Sequence, residues 1–218
     1  MELVWEKLEQ IRKDCPPNVK IIAVSKGQPA EKIKETLQCG QTLFGESYAQ
    51  ELEEKALQLK DEKIEWHFIG HLQRNKINKA LPYMSFLHSI DSVSLAESLE
   101  KRLSKPLPCC IEVNLGDESS KTGIAPESVP TLVQHLFRFP KILLVGLMTI
   151  PPASENPEDS RHCFRRLRLL RDRLNQARIL PKPLTELSMG MTHDYKVALE
   201  EGATMIRVGT GIFGERPQ

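Results

Sequence analysis

The sequence predicts a single-domain (β/α)8 barrel, spanning 1–218, with one extra helix at its N-terminal end. Three observations carry that expectation. Eight apolar or β-branched runs alternate with helical segments along all 218 residues. Most of these runs are near-continuous rather than alternating, as strands covered on both faces are. The connections are short, and eight such units in about 200 residues suit a compact barrel. An open, doubly wound parallel sheet is the competing architecture.

An opening helix near Leu3 to Lys13 places Val4, Leu8 and Ile11 on one side. Strand one is IIAVS (21–25), and the helix from Ala30 to Cys39 is stopped by Gly40 in the C′ role. Strand two is TLFGE (42–46), followed by an acidic helix from Tyr48 to Leu59. Strand three is EWHFIG (65–70), with a short helix near Asn75 to Leu81. Strand four is FLHSID (86–91). Its helix starts at Ser92 or Ser94, with Glu97 placed for a capping box with Ser94. Strand five is CCIEVNL (109–115), then a loop with SSKTG and a helix from Glu127 to Phe137. Strand six is ILLVGLMTI (142–150), closed by Pro151 and Pro152, and the longest helix covers Pro157 to Arg178. Strand seven is TELSMG (185–190), with a helix from Tyr195 to Glu200, and strand eight is TMIRVG (204–209).

Composition narrows the function classes. Thirty Lys and Arg against twenty-nine Asp and Glu leave no global positive field for nucleic acid or an anionic membrane. No apolar run reaches the roughly 18 residues of a membrane span. The N-terminal MELVWEKLEQIRKDC is charged and amphipathic, unlike a signal peptide. Five cysteines (Cys15, Cys39, Cys109, Cys110, Cys163) are odd in number and without CxxC spacing. That argues against a disulfide framework and a zinc site, and for a reducing, cytoplasmic setting. A closed barrel needs no partner, so a monomer is expected.

In a barrel, chemistry sits at the C-terminal strand ends. Lys26 ends strand one, and Arg207, Gly209 and Thr210 end strand eight. The loops after strands seven and eight, where barrels commonly hold phosphate, read LSMGMT and VGTGIFG. They offer glycines, hydroxyls and helix starts. Barrel closure sets strand eight beside strand one, so this cradle adjoins Lys26. A lysine next to a phosphate cradle suits a phosphorylated aldehyde or ketone, which the amine would hold as a Schiff base. Arg207 shares the inward face with Gly209, so it needs an acceptor: an unprotonated pyridine nitrogen, or a barrel carboxylate such as Glu46 or Glu112.

Other features read as structural. The arginine-dense segment 161–178 has Phe164, Leu167, Leu170 or Arg171, Leu174 and Ala177 at helical spacing, so its arginines form a solvated face. His67, His71 and His88 lack a ligand pattern and are expected to be packed or hydrogen-bonded. Adjacent Cys109 and Cys110 point to opposite faces as core filler. Lys121, in SSKTG, is expected in a solvated loop, with a second landing site for the ligand as the alternative.

IIAVSK, LFGESYAQE, WHFIGHLQRNK, HSID, EVN followed by SSKTG, GLMTI, LSMGM and MIRVGTGIFGER occur in that order. In these blocks the sequence resembles the pyridoxal phosphate homeostasis protein family, itself similar to the barrel domain of alanine racemase. The resemblance implies pyridoxal 5′-phosphate (PLP) as cofactor, held by Lys26 as an internal aldimine, with Arg207 facing the pyridine nitrogen. It implies Ser188, Gly209 and Thr210 as phosphate ligands, with main-chain help from Met189 and Gly190. The family usually reads GEN where this chain reads GES, so Ser47 stands where an asparagine lies near the cofactor.

An arginine partner leaves the ring a poorer electron sink than a carboxylate would. Racemases with that arrangement supply a second base from another domain or subunit. Here the chain stops soon after strand eight, and none of Tyr48, Tyr83 and Tyr195 has a strong sequence claim to that role. The expected function is therefore a non-catalytic carrier in vitamin B6 balance, with room for transient contact with PLP-dependent apoenzymes. A small amino-acid racemase and a Schiff-base aldolase acting on a sugar phosphate are the alternatives.

Overall fold

The computed structural model describes residues 2–116 and 122–215. Lys121 lies outside the described residues. Eight strands close into one parallel barrel in sequence order. They are β1 (Lys20–Val24), β2 (Leu43–Glu46), β3 (Glu65–Phe68), β4 (Met84–Ile90), β5 (Leu107–Glu112), β6 (Ile142–Met148), β7 (Glu186–Met191) and β8 (Met205–Val208). The closing seam pairs β1 with β8, with Lys20 opposite Met205 and Ala23 opposite Val208. This excludes the open sheet.

The helices are α1 (Glu2–Asp14), α2 (Ala30–Gln38), α3 (Ala49–Gln58), α4 (Ile77–Ala80), α5 (Val93–Glu100), α6 (Val129–Leu136), α7 (Arg161–Gln176), α8 (Tyr195–Glu200) and α9 (Thr210–Phe213). α1 is the extra N-terminal helix, and its Leu8 and Ile11 are buried against the barrel. Gly40 ends α2 with φ of 76° and donates its N–H to the Leu37 carbonyl. That conformation carries no steric penalty in glycine.

Apolar packing comes in two parts. A large cluster fills the space between strands and helices and includes Cys109, Leu147, Phe164 and Leu167. A small cluster holds Phe86, Cys110, Met148 and Met205. Phe86, Cys110, Met148 and Met205 come from β4, β5, β6 and β8, so inward side chains of several strands fill the barrel interior. Cys109 and Cys110 accordingly fall in different clusters. Burying each Leu or Phe side chain contributes roughly 1.5–3 kcal/mol.

α7 buries Cys163, Phe164, Leu167, Leu170 and Leu174. Its outer arginines pair with carboxylates: Arg161 with Glu158 (2.7 Å) and Glu200 (2.6 Å), Arg168 with Glu201 (2.9 Å). The expected solvated face is there, braced by ion pairs.

Two local expectations need correction. The cap of α5 is Ser92, whose side chain accepts from the Leu95 N–H, while Glu97 pairs with Lys101 four residues on. An exposed glutamate gains an i,i+4 lysine there, and that competes with a capping box. Second, β1 ends at Val24, so Lys26 stands in a turn and not on the strand. The Gln28 N–H closes on the Ser25 carbonyl (2.9 Å), with Gly27 at φ of 71°.

Candidate functional site

A cavity of about 810 Å³ opens at the C-terminal end of the barrel. Its wall brings together Lys26 from the turn after β1, Ser47 after β2, Arg207 from β8, and Gly209 with Thr210 at the start of α9. These five candidates come from three separate stretches of the chain. The β1–β8 seam makes neighbours of the lysine turn and the glycine loop, because Ala23 pairs with Val208.

Ser188, Met189 and Gly190 do not reach that wall, and this corrects their expected place. Ser188 is fully buried one layer deeper; Met189 packs in the outer apolar cluster. Gly190 has φ of 90°, and a side chain there would meet Ala198 of α8 at 2.5 Å. The residues that line the cavity here are Met191, which ends β7, and Thr192 and His193 after it. The cause is an irregularity in pairing: Ser188 sits opposite Met205 but Met191 opposite Arg207, three residues against two. A bulge of this kind resets the alternation of side chains. The Thr192 hydroxyl accepts from the Gly211 N–H at 3.1 Å and so ties the two loops together. LSMGMT contained the signal, since it holds two hydroxyls, but only the bulge decides which one faces the cavity.

Arg207 is almost wholly buried. Its Nη1 donates to the Ser188 Oγ at 2.7 Å and its Nη2 to the Thr149 carbonyl at 2.9 Å. Among the described residues it forms no ion pair, so neither Glu46 nor Glu112 is its partner. Burial lowers its pKa to about 10, which still leaves it charged at neutral pH.

Beneath it runs a polar chain. Ser188 Oγ lies 2.7 Å from His88 Nδ1, and His88 Nε2 lies 2.8 Å from His67 Nδ1. A guanidinium only donates, so Ser188 accepts from Arg207 and has its own proton for His88. That makes His88 the Nε2–H tautomer, donating to His67. Burial depresses both rings: His67 to about 3, and His88 well below its ordinary value. Both are neutral at physiological pH. His71 instead pairs with Asp91 at 3.0 Å. The histidines are hydrogen-bonded, as expected.

Across the cavity, burial raises the pKa of Glu112, opposed by the Thr122 hydroxyl donating to it at 2.6 Å. Glu46, on β2, is turned away into a buried cluster with Ser25 and Lys55. Sequence reasoning missed Lys55 because nothing in an acidic helix marks one lysine as inward-facing.

The site thus joins a primary amine, a buried guanidinium and a glycine–hydroxyl corner within one cavity of a (β/α)8 barrel. The chain belongs to the family described as alanine racemase, N-terminal domain, whose model matches residues 3–217. Within it, the chain is 44% identical to the pyridoxal phosphate homeostasis protein of Aquifex aeolicus, over 96% of this chain and 95% of that one. It is also similar to PipY of Synechococcus elongatus, solved without PLP (TM-score 0.90) and with PLP bound (TM-score 0.86). Each of those structures is 38% identical, and the match covers 97% of this chain and all of PipY.

Proposed function

We propose that this protein binds pyridoxal 5′-phosphate at Lys26 and serves vitamin B6 balance, holding the cofactor and passing it on without turning over an amino acid. One observation carries the reading: Lys26, Arg207 and the Gly209–Thr210 corner share one cavity wall. The donor set fits the group. Arg207 is a buried cation without a carboxylate partner among the described residues, and therefore suits an unprotonated ring nitrogen. Thr192, Thr210 and the glycine backbone at 209 suit a phosphate. Ser47 lines the same cavity, after the strand that pairs with β1. PLP, when bound, supplies an aldehyde that condenses reversibly with a primary amine.

The chain's residues favour retention over turnover. Arg207 stays charged and so discourages a proton on the ring nitrogen that would draw electrons. The tyrosines supply no second base within the cavity among the described residues. The Tyr195 hydroxyl donates to Asp14 at 2.6 Å, outside the cavity. Tyr48 does line the cavity, but it is 65% exposed at the rim. A cytoplasmic, monomeric protein that meets apoenzymes transiently fits this reading.

The test is to add PLP, reduce with borohydride and map the modified peptide. The adduct is expected on Lys26 and is expected to vanish in Lys26→Ala. An adduct that persists elsewhere in that variant would overturn the assignment. Exchange of the α-proton of an amino acid in deuterated buffer, lost in Lys26→Ala, would replace the carrier reading with a racemase-type enzyme.

A further inference from the structure

The turn that presents Lys26 is held from both sides by one ion cluster, buried at Glu46 and Lys55 and partly exposed at Glu51. Ser25 precedes the lysine. Its hydroxyl donates to Glu46 Oε1 at 2.7 Å, and its carbonyl accepts from Lys55 Nζ at 2.6 Å. Gly27 follows the lysine, and its N–H donates to Glu51 Oε1. Lys55 joins the two sides, donating to Glu46 Oε1 at 2.8 Å and Glu51 Oε1 at 2.7 Å. An ammonium has three protons, and these three acceptors engage all of them. Glu51 and Lys55 lie one helical turn apart on α3, so a rigid helix carries the clamp.

Lys55 is 7% exposed and Glu46 fully buried. Buried ion pairs are weak contributors to stability, since desolvation consumes most of their attraction. The Glu46 Oε2 atom lacks a hydrogen-bond partner among the described residues, a further cost. An apolar pair would fill this space more cheaply. What the ionic cluster adds is a hold on Ser25 and Gly27. The turn needs such a hold, because a glycine with φ of 71° is otherwise one of the freest points in a chain.

We propose that Glu51 and Lys55 are positioning residues for Lys26: by pinning the residues on either side of it, they set where its amine stands in the cavity. The inference rests on the reading that Lys26 is the attachment amine. Fixing one reactant's geometry raises its effective concentration toward the other, and small misplacements slow attachment markedly.

The experiment compares wild type, Glu51→Ala and Glu51→Gln. Glu51 is partly exposed and lies outside the core, so both variants are expected to fold. Two quantities are read: the rate at which PLP becomes borohydride-fixable on Lys26, and amide hydrogen exchange at Gly27 measured without PLP. Glu51→Ala is expected to slow fixation by about tenfold and to speed Gly27 exchange. Glu51→Gln keeps an oxygen that accepts from both Gly27 and Lys55, and is expected to restore both quantities. Lys55→Met, which removes the bond to the Ser25 carbonyl, is expected to slow fixation further. Fixation at the wild-type rate in Glu51→Ala would overturn the proposal. So would slower fixation with Gly27 exchange unchanged, or a glutamine variant that behaves like alanine. Wild type with no adduct at Lys26 would instead overturn the reading beneath it.

Discussion

The Arg207 guanidinium donates to the Ser188 hydroxyl at 2.7 Å, deep in the barrel below the cavity floor. Ser188 is thus joined to the cavity through the arginine and is not itself among the residues that line it. Its hydroxyl is also what His88 turns toward.

Ser188→Ala would leave an Arg207 N–H and the His88 Nδ1 buried without a partner. The expected loss is about 1–3 kcal/mol of folding stability, from two polar groups desolvated and unpaired. Chemical denaturation is the measurement, with an unchanged dependence on denaturant concentration. PLP affinity is expected to fall as well, because the arginine loses one of its two anchors. A variant as stable as wild type would show that the chain from Arg207 to His67 is unstrained packing and nothing more.

The two buried histidines make stability depend on pH. His67 has its pKa lowered from 6.5 to about 3 by burial, and His88 shifts in the same direction. In the unfolded chain both rings take a proton near pH 6.5; in the fold they do not. Protons thus favour the unfolded state as pH falls from about 6.5 toward 3, and stability drops across that window. Above it the contribution is fully present. Glu46 and Glu112 act oppositely, since burial raises their pKa and favours the protonated fold. The clean measurement is a difference: melting temperature against pH for wild type and His67→Gln. The variant is expected to lose less between pH 7 and 5. Parallel curves would mean that His67 does not titrate as its burial demands.

Gly190 and Gly209 look alike in sequence but differ in tolerance. At Gly190 a methyl group would sit 2.5 Å from Ala198 Cβ, on a backbone with φ of 90°. At Gly209 the nearest atoms are 3.4–3.5 Å away, on Val24. Gly190→Ala is expected to lower stability by about 1–3 kcal/mol. Gly209→Ala is expected to stay close to wild type by the same thermal unfolding measurement. Equal effects would deny that α8 packs against β7 at Gly190.

Much of the architecture was legible because it is written locally. Runs such as IIAVS and MIRVG announce buried strands through apolar residues, and Gly40 stops α2 through its φ. Arg207 could be aimed inward by its two-residue spacing from Gly209. The failures came where a local rule met a non-local choice. Ser188 and Thr192 were both available hydroxyls, and the extra residue of β7 against β8 put Thr192, not Ser188, on the cavity wall. Ser92 and Ser94 were both plausible caps, and Lys101 decided against the second by engaging Glu97. The Lys55 cluster was illegible, because its acceptors come from β2, α3 and the turn after β1.

By itself the sequence determined the alternation of strand and helix, the inward arginine and the lysine just past the first strand, since each depends on neighbours within a few residues. Only the closed barrel decided which loops face one another, which hydroxyl looks into the cavity and what holds Lys26 in place. Those depend on strand register and on contacts between distant segments, and a chain acquires both only when the eighth strand meets the first.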